Sequence, residues 1–96
     1  MTGRLRVPVD AYMLLERDGK LLMLRRAPGA AYAAGLLCPP SGHVDEGETV
    51  SDAAIRETAE EAGVMLAPDL VRCVTVVHHR SPGGQAVGLC WCILYD

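Results

Sequence analysis

Three glutamates, Glu57, Glu60 and Glu61, are spaced so that they share one face of an α-helix. They occupy positions i, i+3 and i+4, and side chains at that spacing are neighbours on a helix surface. Like charges so placed repel one another, so helix stability alone does not favour the pattern. A divalent cation reverses that argument, because Mg²⁺ prefers oxygen ligands and takes a few carboxylates together with substrate phosphates. The spacing therefore indicates a site for Mg²⁺.

A longer pattern of fixed residues surrounds these glutamates. For an isolated acidic stripe, a solvated helix face is the usual explanation. Here the stripe is part of a continuous series, which in order reads Gly42, five residues, Glu48, seven residues, Arg56-Glu57, two residues, Glu60-Glu61, one residue, Gly63 and the apolar Val64. Seven fixed residues at about 7% frequency each match by chance roughly once in a hundred million. The solvated-face explanation is therefore a poor one for this chain.

A helix that would carry the glutamates is predicted between Thr49 and Gly63. Thr49 is a good N-cap, and Asp52 three residues later is an acidic variant of the capping box that also suits the positive end of the helix dipole. Gly63 supplies the C-terminal stop. Within this helix, Arg56 lies beside Glu57 and one turn before Glu60, where it can pair with a carboxylate and fix its rotamer.

The strands are predicted from apolar and β-branched runs bounded by turn residues. Asp18-Gly19 is a strong hairpin signal, because both residues tolerate positive φ. The predicted strands cover residues 7–15, 21–24, 36–38, 70–79 and 86–95, and residues 41–48 are predicted as a glycine-rich acidic loop. The order of β-hairpin, loop, helix and second β-hairpin predicts one α/β (α+β) domain over residues 1–96.

Composition and charge disfavour several classes of protein. A net charge of -3 offers no basic footprint for nucleic acid, and no run reaches the ~18 apolar residues that a membrane span needs. The first residues lack the apolar run of a signal peptide. The four cysteines show no CxxC spacing, so reduced thiols in a cytoplasmic protein are expected.

The stretch from Gly42 to Val64 is similar to the Nudix box, GX5EX7REUXEEXGU, in which U is aliphatic and Thr58 is the one departure. The preceding Pro40-Ser41-Gly42-His43 resembles the PGGH or PSGH run that leads into the box. The resemblance implies a mixed β-sheet with the catalytic helix on one face; the second helix of the usual sandwich has no counterpart here. It also implies hydrolysis of a diphosphate bond in a nucleoside diphosphate linked to another group, such as a nucleoside triphosphate, with Mg²⁺ as the metal ion and Mn²⁺ as a substitute.

Carried over position by position, the resemblance implies roles for individual residues. Glu57, Glu60 and Glu61 would ligate the metal, and Gly42, or the backbone carbonyl of Ser41 before it, would add a further ligand. The remaining two box residues would support them: Glu48 as a carboxylate near the metals, and Arg56 by orienting Glu57. The predicted catalytic set is thus Glu57, Arg56 and Glu60.

Several alternatives stay open at this point. A catalytically weak Nudix module used for binding or assembly is the competing function, because the family's later strand, closing helix and further acidic residue have no counterpart here. The apolar runs 74–77 and 89–94 suit a sheet buried on both faces, so a homodimer is expected to cover the second face. Further candidates, each explained at least equally well by an ordinary structural role, are substrate contacts from Arg25-Arg26, Tyr32 or His78-His79 and a zinc site at Cys90 and Cys92.

Overall fold

The computed structural model describes residues 3–4, 6–30, 34–81 and 84–94, and for residues 81 and 84–94 it describes the backbone alone. One α-helix lies within this part of the chain, together with one turn of 3₁₀-helix at Pro68–Leu70. In chain order the elements are β1 (Val9–Arg17), β2 (Lys20–Leu21), β3 (Leu24–Arg25), β4 (Leu37–Cys38), β5 (Ser41–His43), α1 (Val50–Ala62), β6 (Arg72–Ser81) and β7 (Gly84–Leu94).

Five of the strands form one mixed sheet. Its order is β2-β1-β7-β6, and β5 also pairs with β1. Strands β1 and β7 run parallel, from Val9 opposite Val87 to Glu16 opposite Leu94, whereas the other pairings are antiparallel. Strands β3 and β4 form a separate two-stranded sheet. The mixed sheet therefore has β1 at its centre, with β5 beside the first half of that strand.

Helix α1 packs on one face of β1. Side chains alternate between the two faces of a strand, and the residues of β1 that face the helix are buried while those between them are only half-buried. Small side chains on the helix let it approach the sheet closely. The buried core comprises Ala11, Met13, Leu15, Ala53, Ala54 and Leu66. The predicted mixed sheet with a helix packed on one face is confirmed.

The helix begins and ends at the predicted capping residues. The side chain of Thr49 accepts a hydrogen bond from the backbone N–H of Asp52 at 3.1 Å. Gly63 ends the helix in the left-handed conformation, with φ of 69°, and its N–H donates to the carbonyl of Ala59. Thr58, which replaces an aliphatic residue of the box, is fully buried and donates its hydroxyl to the carbonyl of Ala54 at 2.7 Å. Its polar group is thereby satisfied within the helix.

Two predictions about the first half of the chain were wrong. The strand predicted at 21–24 leaves β1 after Leu22, whose N–H donates to the carbonyl of Leu15 at 3.0 Å. Leu24 pairs instead with Cys38. The reason is that β5 occupies the same edge of β1 farther along, where Met13 N–H donates to the Pro40 carbonyl at 2.8 Å. The first three residues of the predicted loop 41–48 are therefore a strand.

The second hairpin follows the prediction with shifted limits. Strand β6 begins at Arg72 rather than at residue 70, because Pro68–Leu70 forms the 3₁₀ turn, and it continues to Ser81. Strand β7 begins at Gly84 and ends at Leu94, while the predicted turn residues Pro82 and Gly83 and the predicted strand end Tyr95 lie outside the described residues. None of the described helices is long and apolar enough to cross a membrane.

Candidate active site

Strand β5 and helix α1 meet at Gly42 and Glu57. An ideal Cβ placed on Gly42 would lie 2.6 Å from Glu57 Cγ and closer still to the Glu57 carboxyl group, so any side chain here would displace that glutamate. The neighbouring Ser41 donates its backbone N–H to Oε1 of Glu61 at 2.8 Å. Two consecutive residues of β5 thus contact two glutamates that lie one turn apart on the helix.

Arg56 holds the loop before the helix against the acidic helix face. Its Nε and Nη2 donate to the two carboxylate oxygens of Glu48 at 2.8 and 2.9 Å, a bidentate pair. Its Nη1 donates to Glu57 at 2.8 Å and reaches Glu60 at 3.5 Å. Its Nη2 also donates to the His43 carbonyl at 3.2 Å. A guanidinium group has five N–H donors, and these five contacts account for all of them.

The pairing with Arg56 fixes the charge of Glu48. The pKa of Glu48 falls from an ordinary 4.5 to about 2, first because Arg56 donates hydrogen bonds to it and second because the Asp45 backbone N–H does so at 2.9 Å. In turn, the hydrogen bonds to Glu48 and Glu57 raise the pKa of Arg56. Glu48 therefore acts on the site by anchoring Arg56, and its position near a metal stays a prediction.

Glu61 has the opposite electrostatic environment. Desolvation is the largest cause that raises its pKa, and the negative charges of Glu57 and Glu60 raise it further. The Ser41 N–H and the positive charge of Arg26 oppose this shift. A carboxylate whose ionised form is disfavoured by burial and like charges gains from a nearby cation. The environment of Glu61 therefore suits a cation ligand.

The donor set fits a hard divalent cation by its chemistry. Glu57, Glu60 and Glu61 offer carboxylate oxygens on one helix face, and no side chain separates them from the backbone at Gly42. Within the described part of the chain, no three His, Cys, Asp or Glu side chains already converge on one point as metal ligands. Glu57 and Glu60 are directed to Arg56, and Glu61 to Ser41, so these side chains would have to rotate to share an ion.

Residues 4–89 match the family model described as the NUDIX domain. The chain belongs to the Nudix family. The match covers most of its length and includes the whole stretch from Gly42 to Val64.

Named Nudix relatives with different substrates are similar to this chain. An m7GpppN-mRNA hydrolase of Danio rerio is 41% identical over 59 residues, which cover 62% of this chain and 20% of the relative. An ADP-ribose pyrophosphatase of Methanocaldococcus jannaschii is 31% identical over 83 residues, which cover 86% of this chain and 47% of the relative. The chain thus spans less than half the length of these curated relatives.

A solved structure of a bifunctional enzyme shows the same fold. It is a bifunctional NMN adenylyltransferase/ADP ribose pyrophosphatase of Francisella tularensis, in complex with AMP and a manganese ion. The sequences are 26% identical, the TM-score is 0.79, and the match covers 95% of this chain and 28% of that chain. A divalent metal ion is typical of the Nudix family.

The other sequence candidates fall on different parts of this Nudix domain. Arg25 donates to the Gly35 carbonyl at 2.8 Å and closes the loop before β4, whereas the charge of Arg26 acts on Glu61. The exposed His78 and His79 lie on β6, opposite Val87 and Ala86. Tyr32 and the side chains of Cys90 and Cys92 lie outside the described residues.

One pair of polar residues was missed by the sequence reasoning. Asp10 on β1 lies opposite His43 on β5, and Asp10 Oδ1 is 2.5 Å from His43 Nδ1. The residues are 33 positions apart, so only a prediction of strand β5 and its register would have found them. A cavity of about 400 Å³ at the β1–β2 turn is lined by residues of that hairpin and by Val64, and none of the box glutamates lines it.

Proposed function

We propose that this chain hydrolyses a diphosphate bond in a nucleoside diphosphate linked to another group, with Mg²⁺ as its metal ion and Mn²⁺ as a substitute. The observation that carries the proposal is the acidic face of α1, formed by Glu57, Glu60 and Glu61, packed against a strand whose Gly42 leaves space for the Glu57 side chain. A bound metal ion would neutralise phosphate charge and lower the pKa of the attacking water.

The residues of the chain would bind and orient that ion. Glu57, Glu60 and Glu61 would ligate it through carboxylate oxygens, and Gly42 or the Ser41 carbonyl would add a backbone ligand. All five N–H donors of Arg56 are occupied by protein acceptors. Arg56 is therefore a positioning residue that holds Glu57 and Glu60 in place, and it does not bind phosphate in this arrangement.

A panel of candidate compounds tests which member of this class the chain hydrolyses. The relatives named above differ in theirs, so the panel contains nucleoside triphosphates, ADP-ribose and a capped dinucleotide, each with Mg²⁺ or Mn²⁺ and with phosphate or diphosphate release as the readout. We expect release from at least one compound only when a metal ion is present. Metal-independent release, or none from any compound, contradicts the proposal.

Glu60→Gln tests the assignment of the glutamates. We expect kcat to fall by about two orders of magnitude or more, since a metal ligand is removed from a phosphoryl-transfer site. The fold should persist, because relieving repulsion between helix neighbours stabilises by a few tenths of a kcal/mol per pair. Glu46→Gln, an exposed residue of the loop before the helix, is the matched control. Wild-type turnover by Glu60→Gln at saturating Mg²⁺ would sink the assignment.

A Nudix module that binds nucleotide without hydrolysing it is the second candidate. It is favoured by the orientation of the three glutamates, which are directed to Arg56 and Ser41 rather than to a common point. Calorimetry separates the two functions: a module that only binds would take up ADP-ribose or a nucleoside triphosphate with Mg²⁺ and leave it intact after prolonged incubation.

We also propose that the chain forms a homodimer through the end of its sheet. Strand β6 is the last strand in the described sheet order, and three of its valines are exposed, Val74 at 52%, Val76 at 57% and Val77 at 47%. Exposed apolar residues on an edge strand favour pairing with another chain. Light scattering at micromolar concentration tests this, and a monomer that binds no hydrophobic dye would contradict it. Two further expectations stay predictions: that the protein is cytoplasmic and that it does not bind nucleic acid.

A further inference from the structure

The Asp10–His43 pair is held by the pairing of β1 with β5. The two residues lie directly opposite each other, and the ladder continues with the Val44 N–H donating to the Val9 carbonyl at 2.9 Å. Asp10 has 22% of its side chain exposed and His43 has 79%. Because a carboxylate only accepts hydrogen bonds, His43 Nδ1 is the nitrogen that donates. Nε2 is then the ring nitrogen that this exposed, oriented imidazole presents to a ligand.

The same residue is connected to the acidic face of α1 through its backbone. The His43 carbonyl accepts from Arg56 Nη2 at 3.2 Å, and the preceding Gly42 lies against Glu57. Since side chains alternate along a strand, the His43 ring lies on the face of the sheet opposite α1. Along β5 its backbone is one residue step, about 3.3 Å, from Gly42, the position that contacts Glu57 on the other face.

The Asp10–His43 pair belongs to a row of residues that crosses the sheet. On β7, the residue opposite Asp10 is Gly88, which has no side chain, and the residue opposite Gly88 on β6 is the exposed Val77. Paired residues share a face, so His43, Asp10, Gly88 and Val77 form one row across the sheet. Tyr12, half-buried two residues after Asp10, lies on the same face.

We infer that His43 contacts the nucleoside portion of the substrate through a hydrogen bond between Nε2 and an amino or hydroxyl group, and that Asp10 is the residue that positions it. In the described sheet β5 pairs only with β1, so a substrate with its phosphates at the acidic face of α1 would pass the free edge of β5 to reach the ring. The carboxylate of Asp10 disfavours a further phosphate there. His43 has this role only if the chain is the hydrolase proposed above.

The test compares His43→Ala and Asp10→Ala with Asp69→Ala, an exposed acidic residue of the Pro68–Leu70 turn. Losing one hydrogen bond should raise KM roughly tenfold in His43→Ala while kcat stays within about twofold, since the contact is the same in ground and transition states. Asp10→Ala should raise KM less, and the double variant should match His43→Ala alone. Asp69→Ala should leave both constants unchanged, and thermal melting of each variant checks the fold.

Binding of the nucleoside monophosphate product, measured by calorimetry, separates the two proposals. A wild-type chain that binds the product without hydrolysing any compound of the panel refutes the proposed function, and His43→Ala must then weaken product binding roughly tenfold for the role of His43 to stand. An unchanged KM in His43→Ala, a fall in kcat alone, or a wild-type chain that binds no nucleoside monophosphate would overturn the inference.

Discussion

We expect Gly42→Ala to disturb the candidate active site while leaving the fold intact. The added Cβ would lie 2.6 Å from Glu57 Cγ and closer still to the carboxyl group, whereas ordinary contact begins at 3.4 Å, so the carboxyl group must retreat by roughly 1 Å or more. The neighbour that must move is a flexible side chain, so the loss of folding stability should stay near 1 kcal/mol. A displacement approaching 1 Å at a catalytic group can lower the rate about 100-fold. We expect a folded protein with little activity.

The assay measures three quantities on Gly42→Ala and on a control. Gly29→Ala is the control, because its Cβ would meet nothing within 4 Å and its φ is not positive. We expect kcat to fall about 100-fold in Gly42→Ala, Mn²⁺ affinity measured by electron paramagnetic resonance to weaken, and the melting temperature to change by a few degrees. Full activity with unchanged Mn²⁺ affinity would refute the assignment of Glu57 as a metal ligand. Unfolding of Gly42→Ala would refute the expectation that the substitution disturbs the site alone.

Two further predictions concern stability. Because the pKa of Glu48 is lowered to about 2, its ion pair stabilises the fold above the ordinary value of 4.5 and is lost as the pH falls toward 2. The difference in urea midpoint between wild type and Glu48→Gln should therefore shrink as the pH falls below about 4.5, and a difference independent of pH would contradict the pairing with Arg56. Met13 is fully buried under α1, so Met13→Ala should reduce the free energy of unfolding by about 2–5 kcal/mol. A loss below about 1 kcal/mol in urea denaturation would show that this side chain is not part of the core.

Those parts of the fold that depend on local signals could be predicted from the sequence. Thr49 and Gly63 define the helix because capping requires particular side chains at particular offsets from its ends. The Asp18-Gly19 turn has both residues at positive φ, 51° and 73°. Strand β5 was missed because Ser41 and Gly42 have low strand propensity, and their pairing is imposed by β1 from a distance.

The candidate site shows the same division between local and distant contacts. The common helix face of the three glutamates follows from helix periodicity, and the contact of Arg56 with Glu57 follows from their adjacency. The bidentate pair with Glu48 depends on how the loop folds back over eight residues. The Asp10–His43 pair depends on a register between two strands, and one-residue shifts in register place side chains on the opposite face.

The positive charge of Arg56 explains how the fold accommodates several neighbouring carboxylates. Four carboxylates, those of Asp45, Glu48, Glu57 and Glu60, surround one guanidinium group. Arg56 is bound most closely by Glu48 and Glu57, and Glu60 lies farther away at 3.5 Å. Glu61 instead accepts a hydrogen bond from the Ser41 backbone N–H, and burial raises its pKa. Arg56 thus fixes the geometry of Glu57 and Glu60, whereas at Glu61, the far end of the acidic face, burial and like charges disfavour the ionised form and an added cation would gain the most.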